Sequence, residues 1–400
     1  MNASLNEKLR TVKWGEYKLG TLFDIENTLS FNVDKLVNGT EYDYVTRTST
    51  NQGILQTTGF VNKDNVNAAG TWSLGLLSMD FFYRRKPWYA GQFVRKVIPK
   101  ISIPEKAVSF FSTILNKQKP ILLSVLVRGV DETFKNIYVK LPQAADGKID
   151  FDFMESFIAE LEAERVAELS AYLTVSGLDN YELSSEEENA LKNYQSLSWD
   201  TYNLEKLFGK STRGKRLKGD DRIAGTLPFV TAGEAAEGIS AYISNEVEVF
   251  EKNTTTIDMF GSAKYRNYRY GADDHVAVVH TEVVPMKASI FLTSAIHKAA
   301  HTGKFDYGHN FYAKDADALD IMLPTKDGKP DYDSMATLIS AVQKLVIKDV
   351  VKYADEKTKA YHTVVGHNDK QKIEYTYEIK SKPLMVADGD RADETSLLIE

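Results

Sequence analysis

Two stretches of this chain carry the same frame, and each runs directly into a long apolar-periodic segment. Asp146-Gly147-Lys148-Ile149-Asp150-Phe151-Asp152-Phe153-Met154 is matched by Asp327-Gly328-Lys329-Pro330-Asp331-Tyr332-Asp333-Ser334-Met335, 181 positions later. A Leu-Pro pair, Leu141-Pro142 or Leu323-Pro324, stands just upstream of each. The separation exceeds the roughly 20–50 residues of solenoid repeats and suits a domain plus a connector. Any fold open to this chain must therefore make one module twice.

The segments after the two frames read as helices. Met154, Ile158, Leu161, Leu169 and Tyr172 lie near one stripe, interrupted by Arg165. Met335, Leu338, Ile339, Val342, Leu345, Val346, Val350 and Tyr353 recur at spacings of three and four, the period of one helix face. Apolar stripes must be buried. The economical solution pairs Met154, Ile158, Leu161 and Leu169 with Met335, Leu338, Val342, Leu345 and Val346. Paired antiparallel, the rods would be roughly 35 and 45 Å long at about 1.5 Å per residue. The expected arrangement is pseudo-twofold, with a lobe at either end and a lobe separation near one turn of B-DNA. Asp150, Asp152, Asp331 and Asp333 fall at the helix starts, where a carboxylate meets orphan N–H groups and the positive end of the dipole. Capping explains these aspartates better than catalysis does.

The lobes open alike. Trp14-x-x-Tyr17-x-Leu19-x-x-Leu22-Phe23 is repeated as Trp199-x-x-Tyr202-x-Leu204-x-x-Leu207-Phe208, and Tyr44-Val45-Thr46…Gly53-Ile54 as Phe229-Val230-Thr231…Gly238-Ile239. The latter pair reads as strand, turn, strand. Further strands are expected at 73–78, 93–98, 121–127 and 137–141, and in the second lobe at 254–260, 275–280 and 318–323. One helix is expected in each lobe, at 108–116 and 289–299. The fold class is α+β: two tandem domains with mostly antiparallel sheets, separated by the two long helices. The expected division is 1–13 as a lead, 14–145 and 199–326 as lobes, 146–198 and 327–361 as helical connectors, and 362–400 as a tail. A capping box is expected at Ser185-x-x-Glu188, and a short strand around Ile373–Ile379.

Net charge is −7, which taken alone argues against a nucleic-acid binder. Its distribution changes that conclusion. Residues 14–145 sum to +5, residues 146–198 to −10 and residues 199–326 to −1. The acid is concentrated in one connector, and fields act locally over about a Debye length. There is no cysteine, so neither disulfides nor thiolate metal sites are available. The start of the chain lacks a signal-like apolar run, and no window approaches 18 apolar residues. The expectation is a cytoplasmic protein with no membrane partner.

A search for catalytic patterns is unproductive. No Pro-Pro dipeptide exists to form the loop used in amino methylation, and no phosphate-cradling glycine loop is present. His297 and His301 are spaced for one helix face, but Lys298 stands where a zinc protease needs glutamate. Pro330-Asp331 with distant Glu378-Ile379-Lys380 matches a metal-dependent nuclease only superficially. No catalytic residue, metal site or cofactor is assigned.

The Trp-x-x-Tyr-x-Leu-x-x-Leu-Phe openings, the Val-Thr…Gly-Ile segments and the helical connectors resemble the specificity subunit of type I restriction–modification systems. The Asp-Gly-x-x-Asp-x-x-x-Met connector is similar to the related subunits of type IIB-like systems. The resemblance spans both copies, from Trp14 to about Tyr361, and is carried by the duplicated order. It implies that each lobe is a target recognition domain reading one half of a bipartite double-stranded DNA site. The helices would fix the gap and dock two methyltransferase subunits, with a nuclease subunit as a further partner. S-adenosylmethionine would belong to the partners, and the chain would carry no chemistry of its own. The unusually acidic first connector departs from the tidier members of the family.

The candidate DNA-facing residues lie in segments that mix cations and rings. Arg84, Arg85 and Lys86 occur within Phe81–Tyr89, and Arg95 and Lys96 follow. Lys264, Arg266, Asn267 and Arg269 occur within Lys264–Tyr270, and Arg213, Lys215 and Arg216 form a further basic run. Lysine and arginine neutralise phosphates, while bidentate arginine and asparagine read guanine and adenine edges. The competing interpretations are solvated loops on a two-lobed protein-interaction scaffold, and an enzyme with unrecognised residues.

Overall fold

In a computed structural model, residues 3–365 are described, and the expected tail strand at 373–379 lies outside them. The chain divides into two compact units, one ending at Glu168 and the other beginning at Leu169.

The first unit opens with helix α1 (Ala3–Thr11), strand β1 (Trp14–Lys18) and a helical turn α2 (Leu19–Leu22). Strands β2 (Phe23–Asn27), β3 (Tyr42–Val45), β4 (Ile54–Thr58), β5 (Thr71–Gly75), β6 (Asp80–Arg84), β7 (Trp88–Ala90) and β8 (Val94–Pro99) follow. Helices α3 (Val108–Lys117), α4 (Lys119–Ser124) and α5 (Leu126–Asn136) precede β9 (Tyr138–Pro142) and the long α6 (Phe151–Val175), whose residues from Leu169 onward fall in the second unit. The strands form sheets in the orders β1-β9, β2-β8-β5-β6 and β4-β3-β7. Pairing is antiparallel except between β3 and β7.

The second unit repeats this plan. Helix α7 (Ser185–Lys192) precedes β10 (Trp199–Asn203), α8 (Leu204–Phe208), β11 (Thr212–Arg213), β12 (Ala224–Val230), β13 (Ile239–Ile243) and β14 (Val249–Phe250). Then come β15 (Thr254–Asp258), β16 (Ala263–Arg266), β17 (Tyr270–Ala272), β18 (Val276–Val279), α9 (Met286–Ala300), α10 (Ala313–Asp317), β19 (Asp320–Lys326) and α11 (Tyr332–Val365). Register is duplicated with the order. Trp14 pairs with Pro142 and Trp199 with Pro324, and β12 and β17 form the single parallel pair of their sheet. The Leu-Pro pairs thus close a small base against the tryptophan strand, two-stranded in the first lobe and three-stranded in the second, beside the Asp-Gly turn.

The aspartate caps are as expected. Asp150 Oδ1 accepts from the Phe153 N–H at 2.9 Å, and Asp331 Oδ1 from the Ser334 N–H at 3.0 Å. Gly147 and Gly328 take φ of +85° and +72°, supplying the reversal between β-base and helix that a side chain would resist.

The apolar stripes, however, are divided between two tasks. Met154 and Ile158 lie in the core of the first lobe with Phe111, Leu115 and Leu141, and Leu161 packs at its margin. Met335 lies in the core of the second lobe with Leu292, Ile296 and Leu323. Leu338 is also buried. Met154, Ile158 and Leu161 therefore weld the first helix, and Met335 the second, to its own lobe. The physical reason is proximity: the first turns leave directly from this base and cover the adjoining core. Helix-to-helix packing begins later, where Leu169 and Leu173 meet Ile347, Val351 and Ala354. Val342, Leu345 and Val346 are exposed, Val346 at 75%.

Two further expectations change. The apolar run at 121–127 is helical, because Pro120 suits a helix start and Leu122, Val130 and Phe134 bury at helical spacing. The residues before Trp14 are no mere lead: Leu5 and Leu9 enter the lobe core, and Lys8 pairs with Glu160 of α6. In the second unit α7 holds α11 with the charges exchanged, Glu187 to Lys344 at 2.8 Å. The capping box sits one residue earlier than expected, between Ser184 and Glu187.

Glu187 thus serves both its own helix start and α11. Burial pushes its carboxyl up, but hydrogen bonds from Lys344, the Ser184 N–H and Ser340 outweigh this and bring it down to about 2 from 4.5. A depressed carboxyl contributes stability that is present above the unfolded value and lost as pH falls through the folded one. This contribution is present above pH 4.5 and is lost as pH falls towards 2. Glu187→Gln should destabilise the second unit at neutral pH and flatten its acid dependence over that window, as read by denaturation at stepped pH.

Candidate nucleic-acid interface

The nominated cations divide into buried, paired and free. The basic aromatic segments are largely strand, in β6 and β7 and in β16 and β17, and a strand fixes the face on which each side chain lies. Arg84 is 2% exposed and Arg266 is 1% exposed. Arg84 Nε donates to Ser73 Oγ at 2.9 Å, and its Nη2 donates to the Gln52 carbonyl at 2.6 Å. Arg266 Nε donates to Thr256 Oγ1 at 2.9 Å, its Nη2 to the Glu237 carbonyl at 2.9 Å and its Nη1 to the Tyr268 hydroxyl. Burial pushes the Arg84 guanidinium down to about 10, with Asp43 opposing. Both guanidinium groups are turned into the lobe rather than toward solvent. Charge and aromatic neighbours in the sequence do not distinguish an arginine facing solvent from one facing the adjoining strand.

Most other candidates are held in ion pairs, some exposed and some largely covered. Arg85 joins Glu105, Lys86 joins Asp43, Arg95 joins Asp131 and Lys96 joins Glu26. Lys264 joins Glu234 and Asp258, and Arg269 joins Glu251. Arg213, Lys215, Arg216 and Asn267 are exposed, and the three cations form no ion pair among the described residues. Arg213 shares an open recess of about 370 Å³ with Tyr312, Ala313 and Lys314. In the first lobe the exposed or half-buried candidates Arg85, Lys86, Arg95 and Lys96 are all ion-paired.

What the two buried arginines hold is a turn that pattern-reading registered only as strand, turn, strand. Asn51, Gln52 and Gly53 take φ of +48°, +54° and +76°; Ala236, Glu237 and Gly238 take +46°, +55° and +80°. Three successive left-handed residues are rare, and at non-glycine positions each is strained. In both lobes the threonine N–H closes the turn onto the glycine carbonyl, Thr46 to Gly53 at 2.7 Å and Thr231 to Gly238 at 2.8 Å. A Cβ on Gly53 would lie 3.0 Å from the Thr46 carbonyl oxygen, and one on Gly238 would lie 2.7 Å from that of Thr231. This makes the Gly-Ile element of the repeat a steric requirement. The neighbouring β7–β8 turn adds another outlier, the half-exposed Phe93 at φ +61°, with the Arg47 guanidinium 5.3 Å over its ring. At the matching edge of the second lobe, the ligand atoms of Asp273, Asp274 and His275 lie within 4.8 Å of one another. His275 Nδ1 there stands 2.9 Å from Asp274 Oδ1.

Comparison with known proteins bears on the whole arrangement. Residues 11–171 match the family described as "Type I restriction modification DNA specificity domain". The chain is 24% identical over 345 residues to the "Type II restriction enzyme BgcI specificity subunit S.BcgI" of Heyndrickxia coagulans, covering 84% of this chain and 96% of that one. Among solved structures it is similar in fold to the type-I restriction-modification system S subunit from M. genitalium. There the TM-score is 0.54 at 14% identity, over 89% of this chain and 95% of that one.

The buried clamp and the exposed pairs differ in what their removal would cost. Arg84→Met leaves the Gln52 carbonyl and Ser73 hydroxyl without their donor and should cost about 3 kcal/mol. Arg85→Ala, which loses a solvated pair, should fall within about 0.5 kcal/mol of the parent. Urea denaturation of the two variants separates them.

Proposed function

We infer that this chain belongs to the specificity subunits of restriction–modification systems and selects the DNA on which its partner subunits act. The carrying observation is the duplication, in which two units share strand order, register, clamp and rod while their exposed side chains differ. A subunit that meets one polymer twice needs the same scaffold at each meeting, and different sequences at the two meetings call for different side chains. Each lobe then takes one half of a bipartite double-stranded site. With the first turns of each rod inside its lobe core, rod and lobe move as one body within a unit, which suits a spacer of constant length. We propose that the rods associate further as an antiparallel, pseudo-twofold pair.

Within that reading, Val342, Leu345, Val346, Val350 and Tyr353 give α11 an exposed apolar stripe at helical spacing. It would dock modification (methyltransferase) subunits, two by the pseudo-symmetry, and a nuclease subunit could join the assembly. S-adenosylmethionine would bind to those partners. No residue of this chain is assigned a catalytic role, and specificity is its contribution to the complex. The domain limits given above describe the lobes as recognition domains under the same proposal.

Selection from a randomised duplex library should enrich one split motif with a constant gap; salt-sensitive binding with no motif would overturn the proposal in favour of a plain scaffold. Arg213, Lys215 and Arg216 are the proposed phosphate contacts of the second lobe. Replacing all three with alanine should weaken binding to every sequence alike and lower the salt slope by roughly one for each charge removed.

A further inference from the structure

We propose that the turns Thr46–Gly53 and Thr231–Gly238 are the base-reading elements of the two lobes. The chief readers assigned are Arg47 and Gln52 in the first and Glu237 in the second, with Arg84 and Arg266 as positioning residues behind them. This rests on the DNA-selecting function proposed above and names where the sequence is read.

The two copies serve as an internal comparison. Everything that holds the turn is the same: threonine closing onto glycine, three left-handed residues, and a buried guanidinium on the penultimate carbonyl. Every side chain between the fixed threonine and the fixed glycine differs, with Arg-Thr-Ser-Thr-Asn-Gln in one copy and Ala-Gly-Glu-Ala-Ala-Glu in the other. Strained backbone is retained only where the surroundings over-determine it, and such strain clusters at binding sites. Here a buried charge in each lobe is committed to keeping the turn in place. A surface loop without a task would have no use for that expense in both copies.

The chemistry of the differing side chains fits two different half-sites. Arg47 forms no ion pair among the described residues and rests on the Phe93 ring, which leaves its donor fork for guanine O6 and N7. Gln52 is exposed at the tip, where an amide can take adenine N6 and N7 in a bidentate pair. Glu237 is exposed at the same position of the second turn, and a carboxylate there accepts from the cytosine N4 amino group. Glu234 is already engaged by Lys264, which offsets its repulsion of nearby phosphates.

The test is a transplant in the full chain. Arg47→Ala, Thr48→Gly, Ser49→Glu, Thr50→Ala, Asn51→Ala and Gln52→Glu are introduced together, with Thr46, Gly53 and Arg84 retained. Parent and variant are then selected against the same randomised duplex library. The expected result is a changed preference at one half-site, with the other half-site and the gap as in the parent. An unchanged split motif overturns the assignment while leaving the proposed function standing. A parent chain that enriches no motif overturns both. Should the transplant fail to fold, the single variants Gln52→Glu and Glu237→Gln decide the matter at unchanged melting temperature. Each should lower discrimination at one base pair of its own half-site by roughly ten- to a hundredfold. No loss of discrimination in either overturns the proposal.

Discussion

The burial of Met154 and Met335 in the lobe cores is the contact on which the remaining architecture depends. Both are fully buried. Each sits in the first turn of its rod, just after an aspartate cap and a left-handed glycine. A cap alone would start the helix without fixing its direction. A long side chain sunk into a packed interior fixes both the exit angle and the rotation of the helix, because cores tolerate little displacement. The short helices add a second hold, α1 on α6 through Lys8 and Glu160, and α7 on α11 through Glu187 and Lys344. The module is therefore a short helix, a sheet-rich lobe and a long helix, bound as one piece and made twice.

With rigidity supplied at the base, the opposite demand falls on the surface turns. These hold three successive left-handed residues in each lobe, a strained backbone that needs support from beneath. The chain meets this by spending a buried arginine in each lobe. A guanidinium delivers several directed hydrogen bonds from a planar fork, so it can bind a strand hydroxyl and a turn carbonyl together. Ser73 and Thr256 supply that hydroxyl in the two copies, and Gln52 and Glu237 supply the carbonyl. The conserved chemistry across the copies is thus beneath the surface, while the exposed layer has diverged.

The same residues explain where pattern-reading failed. Arg84 and Arg266 stand among aromatic and basic neighbours, which is also the composition of a DNA-facing loop. Nothing in the spacing of Phe81 to Tyr89 says that the arginine points back toward Gln52, which lies 32 positions earlier in the chain. The four-residue rhythm from Met154 to Leu161 raised the opposite problem. It identified a helix with an apolar face correctly and was silent on which surface would cover that face. The run at 121–127 misled because β-branched and leucine-rich residues suit a strand in isolation, whereas Pro120 starts a helix there and Leu122, Val130 and Phe134 are buried.

Local chemistry accordingly sufficed for the duplication, the α+β class, the capped rods and the Gly-Ile turn. Each of these follows from neighbours within a few residues, or from a repeat visible along the line of the chain. The allocation of apolar stripes to lobe or to partner rod, the inward turn of two arginines, and the joining of a 3–11 helix to the core came from contacts between segments far apart in the chain. Burial and hydrogen-bond partnership are properties of the space around a side chain, and that space is furnished by distant segments whose placement no local pattern encodes.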